Sequence, residues 1–215
     1  MIGNDIVAVQ QGKSFRRLEQ YMRRICEDSE KTLQIDLHPA MLLALTWSIK
    51  EAAFKYCRRS YDIKFYPKKF QISRIKGLEL LQSKKWNRSP KIQHRGFADL
   101  PHLNIQIESE FGTLLGKTIG CENYIHSIVS QDKDCFSAVH WGIVEIGSPL
   151  YKHQSRAVRI HALRHFKNFT NQSGPEGFEF IKNENNVPVL YINGQQSPLA
   201  FSFSHHDQFV AYAWC

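Results

Sequence analysis

Residues 38–59, His-Pro-Ala-Met-Leu-Leu-Ala-Leu-Thr-Trp-Ser-Ile-Lys-Glu-Ala-Ala-Phe-Lys-Tyr-Cys-Arg-Arg, are the strongest helix signal in the chain. Pro39 suits a first helical turn, where its missing N–H costs nothing. The segment is apolar nearly all round, so the helix it predicts must be buried rather than laid on a surface. A chain of 215 residues with 42% apolar side chains can supply the core to bury it. That composition excludes disorder, collagen and coiled coil. No apolar run approaches the roughly 20 residues of a spanning helix, and Asp5 stands where a signal peptide would carry its basic start, so a cytoplasmic protein without a membrane segment is expected. Five widely spaced cysteines without a C-x-x-C pair, Cys26, Cys57, Cys121, Cys135 and Cys215, read as reduced thiols. The Asn-x-Ser/Thr triplets at Asn87, Asn168 and Asn171 are then chance matches.

Around the buried helix the pattern alternates between strands and polar turns. Met1–Val9 reads as a buried strand interrupted by Asp5, and residues 14–34 as a surface helix with Leu18, Tyr21, Met22 and Ile25 inward. Strands are expected at 69–75, 103–109, 125–129 and 136–146, with a long loop at 83–101. A basic amphipathic helix is expected at 151–168. A strand pair closes the chain: 187–192 leads through Asn193-Gly194 to 199–206, and a turn at Asp207-Gln208 returns residues 209–214. Residues 125–139 echo residues 199–213: strand, serine, polar turn, strand. The expected fold is α+β, with two similar lobes at 1–138 and 139–215. Each lobe is a small, mostly antiparallel sheet on a long helix, and the two form an intramolecular pseudo-dimer in a monomeric chain.

Lys and Arg number 28 against 20 Asp and Glu, a net charge of +8, which favours an anionic partner. The charge is split among short groups (Arg16-Arg17, Arg23-Arg24, Arg58-Arg59, Lys68-Lys69, Lys84-Lys85), which read first as solvated faces. A nucleic-acid-binding module would need stacking aromatics or a recognition motif, and none is found.

Glu51 and Lys55 lie one helical turn apart on one face; alone they are an ordinary helix ion pair. Asp5 beside them would change their meaning, because hard divalent cations take carboxylate oxygens together with phosphate oxygens, and a lysine suits a phosphoryl group. Near the other end, alternation puts Ser202 and Ser204 on one side of a strand, followed by His205. His161 and His165 form an i, i+4 pair, but the glutamate of a zinc protease helix is missing and Arg159 and Arg164 adjoin, which argues against a metal-dependent hydrolase.

Gly3-x-Asp5, Trp47-x-x-Lys-Glu-Ala-x-x-Lys55 and Ser202-x-Ser-His205 together resemble the signature of the 4'-phosphopantetheinyl transferase superfamily. The order, Asp motif first and Ser-His motif last, is that of the short holo-acyl-carrier-protein synthases. The length is close to the two-lobed, surfactin-synthetase-activating type, which places Ser-His first.

The resemblance implies one site between two lobes of one chain, with Asp5 and Glu51 holding Mg²⁺ and the coenzyme A pyrophosphate. Lys55 would neutralise phosphate oxygens, Ser204 and His205 would contact the nucleotide end, and Arg156 and Arg159 would meet the 3'-phosphate. Asn186-Val187-Pro188 stands where two-lobed members carry Gly-Lys-Pro, with Lys182 as a substitute, and Val7 replaces a second acidic residue. The implied reaction moves phosphopantetheine from coenzyme A to a serine of an acidic acyl or peptidyl carrier protein, with Glu51 taking the serine proton and 3',5'-ADP leaving. The arginine groups would steer the carrier. A relative that only binds coenzyme A or a carrier is the alternative.

Overall fold

The computed structural model describes residues 1–9, 15–31, 37–80, 92–98, 100–171 and 177–215. In chain order it contains β1 (Gly3–Ala8), α1 (Phe15–Ile25), α2 (Asp28–Lys31), α3 (Pro39–Cys57), β2 (Gln71–Lys76), β3 (Ile92–Arg95), β4 (Leu103–Ser109), β5 (Gly112–Gly120) and β6 (Tyr124–Ser130). There follow α4 (Cys135–Ala138), β7 (His140–Glu145), α5 (Tyr151–Thr170), β8 (Phe178–Lys182), β9 (Pro188–Ile192), β10 (Gln195–Gln196), β11 (Phe201–His206) and β12 (Phe209–Trp214).

The fold is α+β, with three antiparallel sheets ordered β1-β6-β5-β4-β2, β11-β12-β7-β3 and β10-β9-β8. Helix α3, its N-terminus capped by the His38 ring, buries Leu45, Ile49, Ala52 and Ala53 against the five-stranded sheet. The opposite face of that sheet shares a core with the four-stranded sheet through Ile2, Ile6, Ile128, Trp141 and Ala213. Beyond it, Val210, Tyr212 and Trp214 point the other way and pack with Val158, Ala162 and Phe166 of α5. The alternation in β12 thus serves two cores, as expected of a strand buried on both faces.

Gly3 explains how β1 comes so close to α3. A Cβ there would lie 2.1 Å from the Ala52 carbonyl oxygen and 2.5 Å from the Tyr56 nitrogen, so only glycine fits.

The edge of β1 that faces away from β6 is closed by side chains. Its N–H groups at Asn4, Ile6 and Ala8 donate to Ser202 Oγ (2.9 Å), Ser204 Oγ (2.9 Å) and His206 Nδ1 (3.2 Å). The constant offset of 198 residues means that β1 and β11 run side by side in parallel. Arg59 closes the carbonyl end: Nε donates to Ile2 O (2.7 Å) and Nη2 to Phe201 O. An exposed sheet edge is thereby converted into the seam between the first and the penultimate strand.

Several sequence expectations are corrected. The helix expected at 14–34 is two, α1 and α2, broken after Ile25. Residues 135–138 are helical, and the strand expected from 136 begins at His140. The echo of 125–139 with 199–213 therefore pairs a strand and helix with a hairpin. In the strand orders, β6 lies between β1 and β5, and β12 lies between β7 and β11. The strand after Asn193-Gly194 is only β10, closing on β9, while Leu199 onward enters a different sheet. Ile92–Arg95, placed in a loop, pairs with β7, so a strand from before residue 138 completes the later sheet. Lys84-Lys85 and most of the 83–101 segment lie outside the described residues.

Candidate active site

Asp5 alternates with its neighbours so that its side chain faces α3, where the one-turn spacing of Glu51 and Lys55 meets it. Lys55 Nζ donates to Asp5 Oδ1 at 2.7 Å and lies 3.4 Å from Glu51 Oε1. Ser204 Oγ, from β11, donates to the same Asp5 oxygen at 2.6 Å. Trp47 Nε1 donates to Glu51 Oε2 at 2.6 Å, and Ser48 Oγ donates to Asp5 O at 3.0 Å. Asp5 Oδ2 is buried and accepts no hydrogen bond from the described residues.

The exposure of the three charged side chains gives the site a direction. Asp5 is 4% exposed, whereas Lys55 and Glu51 are 24% and 28% exposed. Asp5 is thus the floor, and the two helix residues form the wall that meets solvent. Burial, and then the Glu51 charge, push the Asp5 carboxyl up to about 7 against the pull of Lys55 and Ser204. Burial also opposes ionisation of Glu51, but Lys55 and the Trp47 indole outweigh it and hold that carboxyl below its usual value. For Lys55 burial is again the largest influence, yet the two carboxylates overcome it and raise the ammonium. Once Asp5 is ionised, one cation between two carboxylates leaves the cluster net negative.

Ser204 and His205 take opposite directions. Ser202, Ser204 and His206 face β1, while His205 turns toward α5, its ring 5.1 Å from that of Tyr151 and nearly perpendicular to it. Burial, then Lys55, hold His205 below the usual histidine range. His206 accepts the Ala8 N–H at Nδ1, which requires a free lone pair there; its 3.6 Å approach to Asp207 is therefore not an ion pair.

Arg156 and Arg159 lie about 7.5 and 12 Å beyond Tyr151 along the axis of α5, by helical rise. Arg156 is exposed, and Arg159 Nη1 donates to Ser155 O at 2.7 Å and to Ser155 Oγ. Neither makes a hydrogen bond or ion pair with Asp5, Glu51, Lys55 or His205. Lys182 is exposed opposite Pro188 in the β8–β9 ladder.

Sequence reasoning missed Trp47, Ser48 and His206 as contributors. His206 was within reach of the argument, because the alternation that pairs Ser202 with Ser204 continues to it. Arg59, grouped with Arg58 as a surface charge, is instead turned inward onto the β1–β11 seam, where burial lowers its guanidinium to about 10. Beside Trp47 and His206 a cavity of ≈ 200 Å³ opens, lined chiefly by Val7, Leu18, Tyr21 and Leu43.

A family model described as the 4'-phosphopantetheinyl transferase superfamily matches residues 1–101. That span takes in Asp5, Trp47, Glu51 and Lys55, and links this part of the chain to a family of transferases. No curated protein and no solved structure gives a significant match. Among the described residues, no group of three or more His, Cys, Asp or Glu side chains converges on one point, and no helix is long and apolar enough to cross a membrane. A metal here would have two carboxylates from the chain and the rest of its shell from substrate and water. The unpartnered, buried Oδ2 of Asp5 beside Glu51 fits such a hard cation.

Proposed function

We propose that the chain is a Mg²⁺-dependent phosphopantetheinyl transferase, moving phosphopantetheine from coenzyme A onto a serine of an acyl or peptidyl carrier protein. The observation that carries this reading is the meeting of Asp5, Glu51 and Lys55 with an unsatisfied Asp5 oxygen at its floor. Asp5 and Glu51 are the residues that would hold the metal. The chemistry Mg²⁺ supplies at such a place is neutralisation of charge developing on the pyrophosphate.

The chain's own residues would do the rest. Lys55, raised and rigidly held between two carboxylates, presents its remaining N–H to a phosphate oxygen as a fixed positive charge. Glu51, ionised and at the solvent side, accepts the proton of the carrier serine as its Oγ bonds to the β-phosphorus. The bond from that phosphorus to the bridging oxygen breaks, and 3',5'-ADP departs with the electron pair. Trp47 fixes the rotamer of Glu51, and Ser204 that of Asp5. His205, on the other side of β11, would contact the nucleotide end, and Arg156 and Arg159, further along α5, would meet the 3'-phosphate. The apolar cavity beside Trp47 suits the pantetheine arm. Exposed Arg16, Arg17, Arg23 and Arg24 on α1 would draw an acidic carrier toward it. We further propose that residues 1–138 and 139–215 form the two lobes of a pseudo-dimer in a cytoplasmic monomer, with β3 crossing from the first to complete the sheet of the second.

The test is release of 3',5'-ADP from coenzyme A with an apo carrier. Wild-type protein should release it only with Mg²⁺, and Glu51→Gln should lower the rate by roughly 10²–10⁴-fold while leaving the fold. Unchanged turnover in Glu51→Gln would remove Glu51 from the mechanism. His205→Ala should weaken coenzyme A binding, and unaltered affinity would remove His205 from the nucleotide site.

A further inference from the structure

The face of the five-stranded sheet that α3 does not cover holds a second concavity. Between β4, β5, α4 and the residues Phe97, Ala98 and His102 lies a cavity of ≈ 360 Å³, inside the range of small-molecule sites. Its wall is mostly apolar, with Phe97, Ile105, Leu115 and Phe136, and its polar groups converge on one lysine. Lys117 Nζ lies 2.6 Å from His102 Nε2 and donates to Asn104 Oδ1 at 2.5 Å. His102 Nδ1 lies 2.7 Å from the Leu100 carbonyl, to which it donates, so Nε2 carries the lone pair that receives Lys117. Two of the three ammonium hydrogens are thereby fixed and the third is left for a ligand.

Lys133 lines the same cavity, and neither lysine has an acidic partner among the described residues. Burial, then the charge of Lys133, hold the Lys117 ammonium below its usual value, and no described carboxylate offsets either. We propose that this cavity binds a small monocarboxylate with an apolar body, its carboxylate on Lys117 and Lys133 and its body against Phe97, Leu115 and Phe136. A bare inorganic anion would leave that apolar wall unused, and a neutral apolar molecule would leave the two ammonium groups unpaired.

The site is separate from Asp5, Glu51 and Lys55, so it stands or falls independently of the transferase reading. Calorimetric titration of the full chain with sodium octanoate, without coenzyme A or metal, tests it. Saturable binding is expected, with acetate and octanol each weaker by about tenfold or more. Lys117→Met, which keeps the stem and removes the charge, should weaken octanoate by a similar factor. Ala98→Trp, which fills the mouth from an exposed position, should do the same without touching the lysine. No saturable octanoate binding, or binding that both variants leave unchanged, would overturn the proposal. Acetate or phosphate binding as tightly as octanoate would also overturn it, because the apolar wall would then play no part.

Discussion

Ser204 Oγ donates to Asp5 Oδ1 at 2.6 Å across 199 residues of sequence while accepting the N–H of Ile6 at 2.9 Å. One hydroxyl therefore does two things: it closes the seam between the first and the penultimate strand, and it fixes the carboxylate on the floor of the candidate site. Ser204→Ala removes both. The expected loss is roughly 1–3 kcal/mol of stability, because the Ile6 N–H is left buried and unpaired. Urea unfolding of the variant checks this, and an unchanged midpoint would show that the seam does not depend on the hydroxyl.

Gly3 should tolerate no side chain. An alanine Cβ would sit 2.1 Å from backbone oxygen of α3, and backbone cannot swing aside as a side-chain tip does. Gly3→Ala should cost about 3 kcal/mol or more, or abolish folding, as judged by thermal unfolding and soluble yield. A stable, folded Gly3→Ala protein would mean that β1 does not lie on α3 as described.

Lys50 and Glu30 form a fully buried ion pair at 2.7 Å, and Glu30 also accepts from the backbone N–H groups of Ile72 and Glu27. Replacing Glu30 alone, as Glu30→Ala, strands a buried ammonium and should cost about 3–5 kcal/mol. Changing Lys50→Met as well should recover part of that loss. A double variant no better than the single one would show that the backbone bonds, rather than the charge pair, are what Glu30 supplies.

Acid stability should be governed in part by His126. Its Nε2 donates to Asn4 Oδ1 at 3.2 Å, while Nδ1 is buried without a partner among the described residues, and burial pushes the ring down to about 3. The native state thus holds His126 neutral where the unfolded chain would protonate it, near 6.5. Its contribution is present above pH 6.5 and is lost as pH falls toward 3, amounting to about 2 kcal/mol at pH 5. Unfolding free energies of wild type and His126→Gln at pH 7 and pH 5 check this: the wild type should lose more between them. Equal losses would assign the acid lability to other groups.

What could be read from the sequence follows the distance over which the signal acts. Helix α3 was legible because its apolar residues surround it, and β12 because Phe209–Trp214 is a short unbroken apolar and aromatic run after the turn at Asp207-Gln208. Glu51 and Lys55 were legible as neighbours because helical spacing alone brings them together. β3 was not: Gln93, His94 and Arg95 are polar, and they become a strand only because β7 offers them an edge from elsewhere in the chain. β5 was hidden by three glycines at positions 112, 116 and 120 and by a lysine, which weaken the local preference for a strand. Arg59 read as surface charge because nothing local says that two carbonyls, Ile2 and Phe201, await it. Ser204 and His205 were legible as a motif, whereas their opposite directions emerge only when β11 is set beside β1.

The cluster of Asp5, Glu51 and Lys55 gives the account its central claim, and the intact mass of apo carrier proteins tests it most directly. Acyl and peptidyl carriers would each be incubated with the full chain, coenzyme A and Mg²⁺, with a metal-free control and Lys55→Met alongside. The account predicts a gain of one phosphopantetheine group on at least one carrier, absent without metal and sharply reduced in Lys55→Met. No mass gain on any carrier, from protein shown to be folded, would contradict the transferase reading and leave a protein that binds coenzyme A or a carrier without joining them.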